Sequence, residues 1–267
     1  MNIYRFELKG YLGTLWIWIL SLIALLFMYM AFYPILSDGA MMMDKILENY
    51  PEELLKAFGM GESISFATVL GYFTFTFVFV QLCLAVQSAY YGFNFLSIEE
   101  RELTADFLYS KPVTRRSVFV QKYLAAATAL LLSDLAVWIG SFLAIEIFRG
   151  GNSYDFGNLL ILLVSIPVFQ LFFFSIGLLV TTLTKKISSV ISYAMALSFG
   201  LYILNAVRSI VGGELLGMIT PYYYFEPGQI LTSGKLNLRL TMICVFVILI
   251  SNGLGYRLYL KRNIHSL

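Results

Sequence analysis

Few residues in this chain can do covalent chemistry, and their spacing does not assemble it. There is a single histidine, His265, so no histidine-based metal site or catalytic constellation can be built. Cys83 and Cys244 both fall inside apolar runs, where they read as small core hydrophobes rather than as a disulfide or a metal site. GQILTSGKL at 228–236 has the outline of a phosphate-binding loop, but it has one residue too many between its glycines, and Leu236 stands where Ser or Thr is needed. HExxH, CxxC and a serine-nucleophile elbow are missing. No catalytic residue is assigned. Three ionisable residues lie in or near long apolar runs: Asp134, Glu146 and Arg208. Asp134 is the deepest. Intramembrane ions are functional hypotheses by default, and Asp134 reads either as an internally paired structural group or as a coupling or substrate contact. Gln81, Gln87, Gln170 and Asn205 are suited to hydrogen bonds between helices or to a polar path. Gln81, Asp134 and Asn205 are taken as the candidate substrate path.

The densest charge is in SIEERELTADFLYSKPVTRRSVFVQKY, residues 97–123. Glu99, Glu100, Glu102 and Asp106 come first, then Lys111, Arg115, Arg116 and Lys122, with long apolar runs on both sides. A charge at the centre of a bilayer costs about 3 kcal/mol or more, so this hairpin must stand in water at a membrane surface. Residues 98–110 lack Gly and Pro and are rich in helix formers. Ile98, Leu103, Phe107 and Leu108 gather on one side. Pro112 stops that helix, and Thr114 is suited to cap the next. The hairpin is either an ordinary solvated loop or a docking element for a soluble partner, with Phe107 and Leu108 as anchors.

The elements that hold this hairpin are apolar and long. The chain has 267 residues, 59% of them hydrophobic and 13% charged. A soluble domain carries about 25% charge, so the composition argues for one polytopic membrane domain, 1–267. A net charge of +2 gives no reason to invoke nucleic acid. Six runs can cross about 30 Å of hydrocarbon as helices, at about 13–36, 66–96, 117–148, 157–183, 188–211 and 236–260. The fold class is therefore an all-α membrane protein in a lipid bilayer, with a short amphipathic helix between the second and third spans. GYFTFTFVFV in the second span alternates like a strand, but a lone strand in lipid leaves its backbone unpaired, so helix is expected.

Residues 1–12 mix Arg5, Glu7 and Lys9 with apolar side chains and are expected to lie flat at the interface. The acidic loop 37–65 has helical character in Met41–Phe58, broken by Pro51. Pro167 marks a kink in the fourth span. In the fifth, Ser188, Ser192, Ala196 and Gly200 recur every four residues, a ridge of small side chains that packs helices closely, within the subunit or between subunits. With six spans both termini share a side. That side holds twelve of the Lys and Arg residues against six on the other, which puts the termini and the hairpin in the cytoplasm.

The stretch IEERELTADFLYSKPVTRRSVFVQK, 98–122, resembles a signature of the permeases of type-2 ATP-binding-cassette exporters: acidic residues, Gly-Thr, a leucine-rich turn, Pro, a basic residue, and a lysine where the next span starts. Glu99, Glu100 and Glu102 match the acidic part, and Leu108, Pro112, Arg115 and Lys122 match the later positions. Leu103 departs from the usual glycine before Thr104. PEELLKAFG at 51–59 and PYYYFEPGQIL at 221–231 look like those of bacterial members.

The resemblance implies a multi-pass chain of a bacterial plasma membrane that pairs with a second permease subunit, identical or related, and with cytoplasmic ATP-binding subunits. This chain would bind no cofactor; ATP and Mg would sit on the partner ATPase. Glu99, Glu100, Glu102, Asp106, Phe107, Leu108, Pro112 and Arg115 would form the ATPase-coupling element. The first, second and fifth spans would border the translocation path at the dimer interface. Two alternatives are an ion-coupled secondary carrier using Asp134 and a non-transporting membrane anchor or sensor.

Overall fold

The computed structural model describes residues 3–39, 49, 65–101, 113–184 and 187–261. Among them the chain is helical and without strands, and six helices are long and apolar enough to cross a membrane. The elements in order are α1 (Ile3–Met30), α2 (Tyr33–Asp38), α3 (Val69–Arg101), α4 (Arg115–Phe148), α5 (Phe156–Leu183), α6 (Val190–Val211), α7 (Glu214–Gly217), α8 (Pro221–Tyr224), α9 (Pro227–Ser233) and α10 (Leu238–Lys261). The alternating GYFTFTFVFV lies within α3, as backbone satisfaction in lipid requires. The Met41–Phe58 segment, residue 49 excepted, lies outside the described residues.

Local chemistry sets the helix starts. The Thr114 hydroxyl accepts from Ser117 N at 3.2 Å, as expected of the cap after the hairpin. Asp155 caps α5 through Asn158 N at 3.1 Å, and Ser189 caps α6 through Ser192 N. Pro221 and Pro227 open α8 and α9, where a proline costs no intrahelical bond. Gly234, from the stretch that mimics a phosphate loop, ends α9 in the left-handed region at φ 62°.

The N-terminal residues do not form a separate element. They form the first turns of α1, which runs unbroken from Ile3 along α4. Tyr4 N donates to Gln121 Oε1 at 3.2 Å, and the Tyr4 and Thr128 hydroxyls are 3.1 Å apart. These bonds and the buried Ile3 and Tyr11 hold the segment in the bundle.

α3 and α5 form the centre, with α6 on the far side of α3, α10 on α5, and the α1–α4 pair alongside. The two central helices approach at glycines. A Cβ on Gly92 would overlap the Phe174 carbonyl, and one on Gly177 would stand 3.0 Å from Ala89 O and Phe93 N. The Thr181 hydroxyl crosses the contact, within 3.2 Å of Phe93 O. Asn252 Nδ2 ties α10 to α5 and α4 by donating to Ser175 Oγ at 2.9 Å and Tyr123 OH at 3.3 Å.

Pro167 lies inside α5 and cannot donate to the carbonyl of Leu163. That carbonyl accepts instead from the Trp138 indole N–H of α4 at 3.0 Å. A neighbouring helix thus satisfies the backbone group that proline left free, as a membrane interior demands.

Candidate functional site

The hairpin is rooted at one end of the bundle. Glu99 and Glu100 fall in the last turns of α3, their side chains outside the described residues. Glu102, Asp106, Phe107, Leu108 and Pro112 also lie outside them. On the other side of the hairpin α4 is tied down at its first residue, Arg115, whose Nη1 donates to Leu260 O at the end of α10 at 3.4 Å. Two turns on, Lys122 is 1% exposed, with its Nζ 3.8 Å from Glu7 Oε1 of α1 and 5.6 Å from the centre of the Phe95 ring of α3. Phe119 packs between Phe95, Tyr123, Tyr256 and Tyr259. Helices α1, α3, α4 and α10 therefore converge where the hairpin leaves and re-enters. The sequence identified Lys122 as a motif position but missed Glu7 as its partner, because that pairing is made across 115 residues of chain.

The small-residue ridge turns outward. Ser188, Ser192, Ala196 and Gly200 are all exposed, and a Cβ on Gly200 would meet nothing within 4 Å. The stripe by which α6 packs inside the chain is Val190, Ala194 and Ser198. Two residues of helix turn the face by about 200°, so the ridge lies on the side away from α3. Of the two roles read for it, packing within the subunit is not the one this fold uses. Ser188 also borders a cleft of about 480 Å³ between α1, α3 and the start of α6, lined by Thr14, Ile17, Trp18, Tyr90, Ser189 and Val190.

The three candidate path residues are not gathered on one surface. Gln81 is buried and its Nε2 donates to Phe225 O at 2.8 Å, so it holds the 212–237 connector rather than lining an open path. Asp134 on α4 is 2% exposed, and neither carboxylate oxygen has a hydrogen-bond partner among the described residues. The internal pairing read for Asp134 is thus not found there. Asn205 is half-buried on α6, its Oδ1 without a hydrogen-bond partner among the described residues. α4 packs chiefly on α1, and α6 on α3, which keeps Asp134 and Asn205 apart. Glu146 is a surface group, paired with Arg149 at 2.9 Å and accepting from Tyr154 OH at 3.1 Å. The Gln170 Nε2 donates to Gln87 Oε1 at 3.5 Å between α5 and α3.

The connector between α6 and α10 is folded back into the bundle. Its Tyr222 packs on Phe169 and Phe173 of α5 and Tyr202 of α6. Gln81, which holds Phe225, lies about 18 Å along α3 from Val69. Asn158 Nδ2 donates to Leu231 O at 2.9 Å, and Thr220 Oγ1 to Leu201 O at 3.0 Å. The only sequence signal for this was the aromatic density of PYYYFEPG, which a free loop does not need.

Six helices long and apolar enough to cross a membrane define the class as a multi-pass membrane protein. A family model described as ABC-2 family transporter protein matches residues 1–264, and the chain belongs to that family. It is the membrane-embedded permease component of an ABC transporter, a family whose members work with an ATP-binding subunit. No curated protein and no solved structure matches the chain.

Proposed function

We propose that the chain is the permease of an ATP-driven exporter in a bacterial plasma membrane, with both termini and the hairpin cytoplasmic. Two such subunits, identical or related, pair through α6 and enclose the path between them. The observation that carries this reading is the outward ridge of Ser188, Ser192, Ala196 and Gly200 beside the α1–α3–α6 cleft. A small-residue face has little to gain from lipid but permits close contact with another helix. The hairpin 98–116 docks on the ATPase, with Phe107 and Leu108 as anchors and Glu99, Glu100, Glu102, Asp106, Pro112 and Arg115 shaping the surface. ATP and Mg are held by that partner. ATP binding draws the ATPases together, and the hairpins bias the helix bundle between two states. The rooting of Arg115 and Lys122 on α10, α1 and α3 supports this, because a push on the hairpin reaches those helices directly.

The test is purification from native membranes in mild detergent, with partners identified by mass. A stoichiometric soluble ATPase, lost on Phe107→Asp, is the expected result. Recovery of the chain with no ATPase, or an association indifferent to Phe107→Asp, refutes the coupling assignment.

A further inference from the structure

Arg208, three residues before the end of α6, has no role in the reading above, yet the connector is folded around it. After α6 the chain turns through Gly212 and Gly213 at φ 75° and 119°, both open to solvent, with nothing within 4 Å of where a Cβ would stand. Such a pair leaves the backbone free to swivel. Arg208 reaches across that swivel. Its guanidinium carbon lies 4.0 Å from the centre of the Tyr223 ring, and its Nη2 is 3.9 Å from Glu226 Oε2. Gly217 makes room for the stack: a Cβ there would come within 2.8 Å of Tyr223 Cε1 and 3.1 Å of Arg208 Cδ. Gln229 Nε2 donates to the same Glu226 oxygen at 2.8 Å, and Lys235 borders the adjoining cleft.

We propose that Arg208 is a positioning residue for transport, locking the Gly212–Gly213 swivel by stacking on Tyr223 so that the connector moves with α6. The argument is one of topology. Beyond the swivel the connector is fixed to α3 by Gln81, to α5 by Asn158, and to the middle of α6 by Thr220 on Leu201 and Tyr222 on Tyr202, while the outward ridge lies on the other face of α6. The two ties to α6 lie about two turns back along it from Arg208, so displacement of the last turns of α6 is either passed to the connector through Arg208 or absorbed by the two glycines. The lock consists of a stack and a loose ion pair, contacts of a strength that a conformational cycle can make and break.

Spin labels at Ile210→Cys on the last turn of α6 and Ser233→Cys on the connector, in a Cys83→Ala, Cys244→Ala chain reconstituted in nanodiscs, read this lock without ATP or substrate. A single narrow distance distribution is expected for the otherwise unmodified chain. A broadened one with a longer component is expected for Arg208→Met and for Tyr223→Leu, whereas Glu226→Gln stays narrow because the stack survives. Should Arg208→Met fail to give monodisperse protein, Tyr223→Leu carries the test. Narrow distributions in the variants that fold overturn the lock. In the complex with its ATPase, Arg208→Met is expected to lower ATP-dependent flux several-fold without changing ATPase association. Unaltered flux overturns the positioning role even where the distances broaden. The distance measurement stands whether or not the exporter reading holds, so the two fail separately.

Discussion

Single atoms decide how close the helices of this protein come. At Gly92 the absent side chain lets α3 rest on the Phe174 carbonyl of α5. Gly92→Ala must push the central helices apart and is expected to cost about 1–3 kcal/mol, measured as a lowered unfolding midpoint in detergent. Trp138→Phe keeps a ring of similar shape but removes the N–H that satisfies Leu163 O. Leaving that carbonyl unpaired costs about 1–3 kcal/mol, and the same unfolding assay checks it. At Glu226, burial raises the carboxyl above the ordinary range, and Arg208 opposes this with a smaller lowering. The folded chain therefore holds that proton more tightly than the unfolded one. The stability this contributes is full below the unfolded-state pKa and is lost as pH rises through the folded value. Glu226→Gln is expected to flatten that part of the stability–pH curve; an unchanged slope would show the group to be solvated.

At the scale of the helix, faces matter more than composition. α6 offers two stripes of four-residue period, Val190–Ala194–Ser198 inward and Ser192–Ala196–Gly200 outward, the second continued by Ser188 just before the helix. A four-residue period in the sequence identifies a packing ridge, but both stripes have that period, and only the neighbouring α3 distinguishes them. If the outward ridge joins two permease subunits, Gly200→Trp should shift the detergent-solubilised protein from dimer to monomer in cross-linking while its helix content is unchanged. A dimer that survives Gly200→Trp would move the interface elsewhere. α1 makes the same point. Its charged first turns read as interfacial until Lys122 and Gln121 of α4 supply partners for Glu7 and for the Tyr4 backbone.

For the whole molecule the issue is what drives transport. An ATP-driven permease should lose flux with Phe107→Asp and keep ATP-dependent flux with Asp134→Asn, measured in vesicles carrying the ATPase. An ion-coupled carrier would show the reverse, with flux following an ion gradient and stopping in Asp134→Asn. Asp134 is enclosed on a helix whose main neighbour is α1, apart from the cleft that borders the outward ridge, which fits the first outcome.

The sequence by itself determined the class, the six spans, the Thr114 cap, the proline within the fourth span, and the family resemblance. Each of these rests on residues adjacent along the chain: a run of apolar side chains long enough for the bilayer, a threonine before a helix, a proline within one, a patch of charge between two spans. Tertiary structure alone decided the rest. The Trp138 indole serving the carbonyl freed by Pro167, the Lys122–Glu7 pair, the folded-back connector on Gln81 and Asn158, and the stack of Arg208 on Tyr223 all join different elements of the bundle. Helix periodicity places a residue on a face, but which helix that face meets depends on how all six pack together.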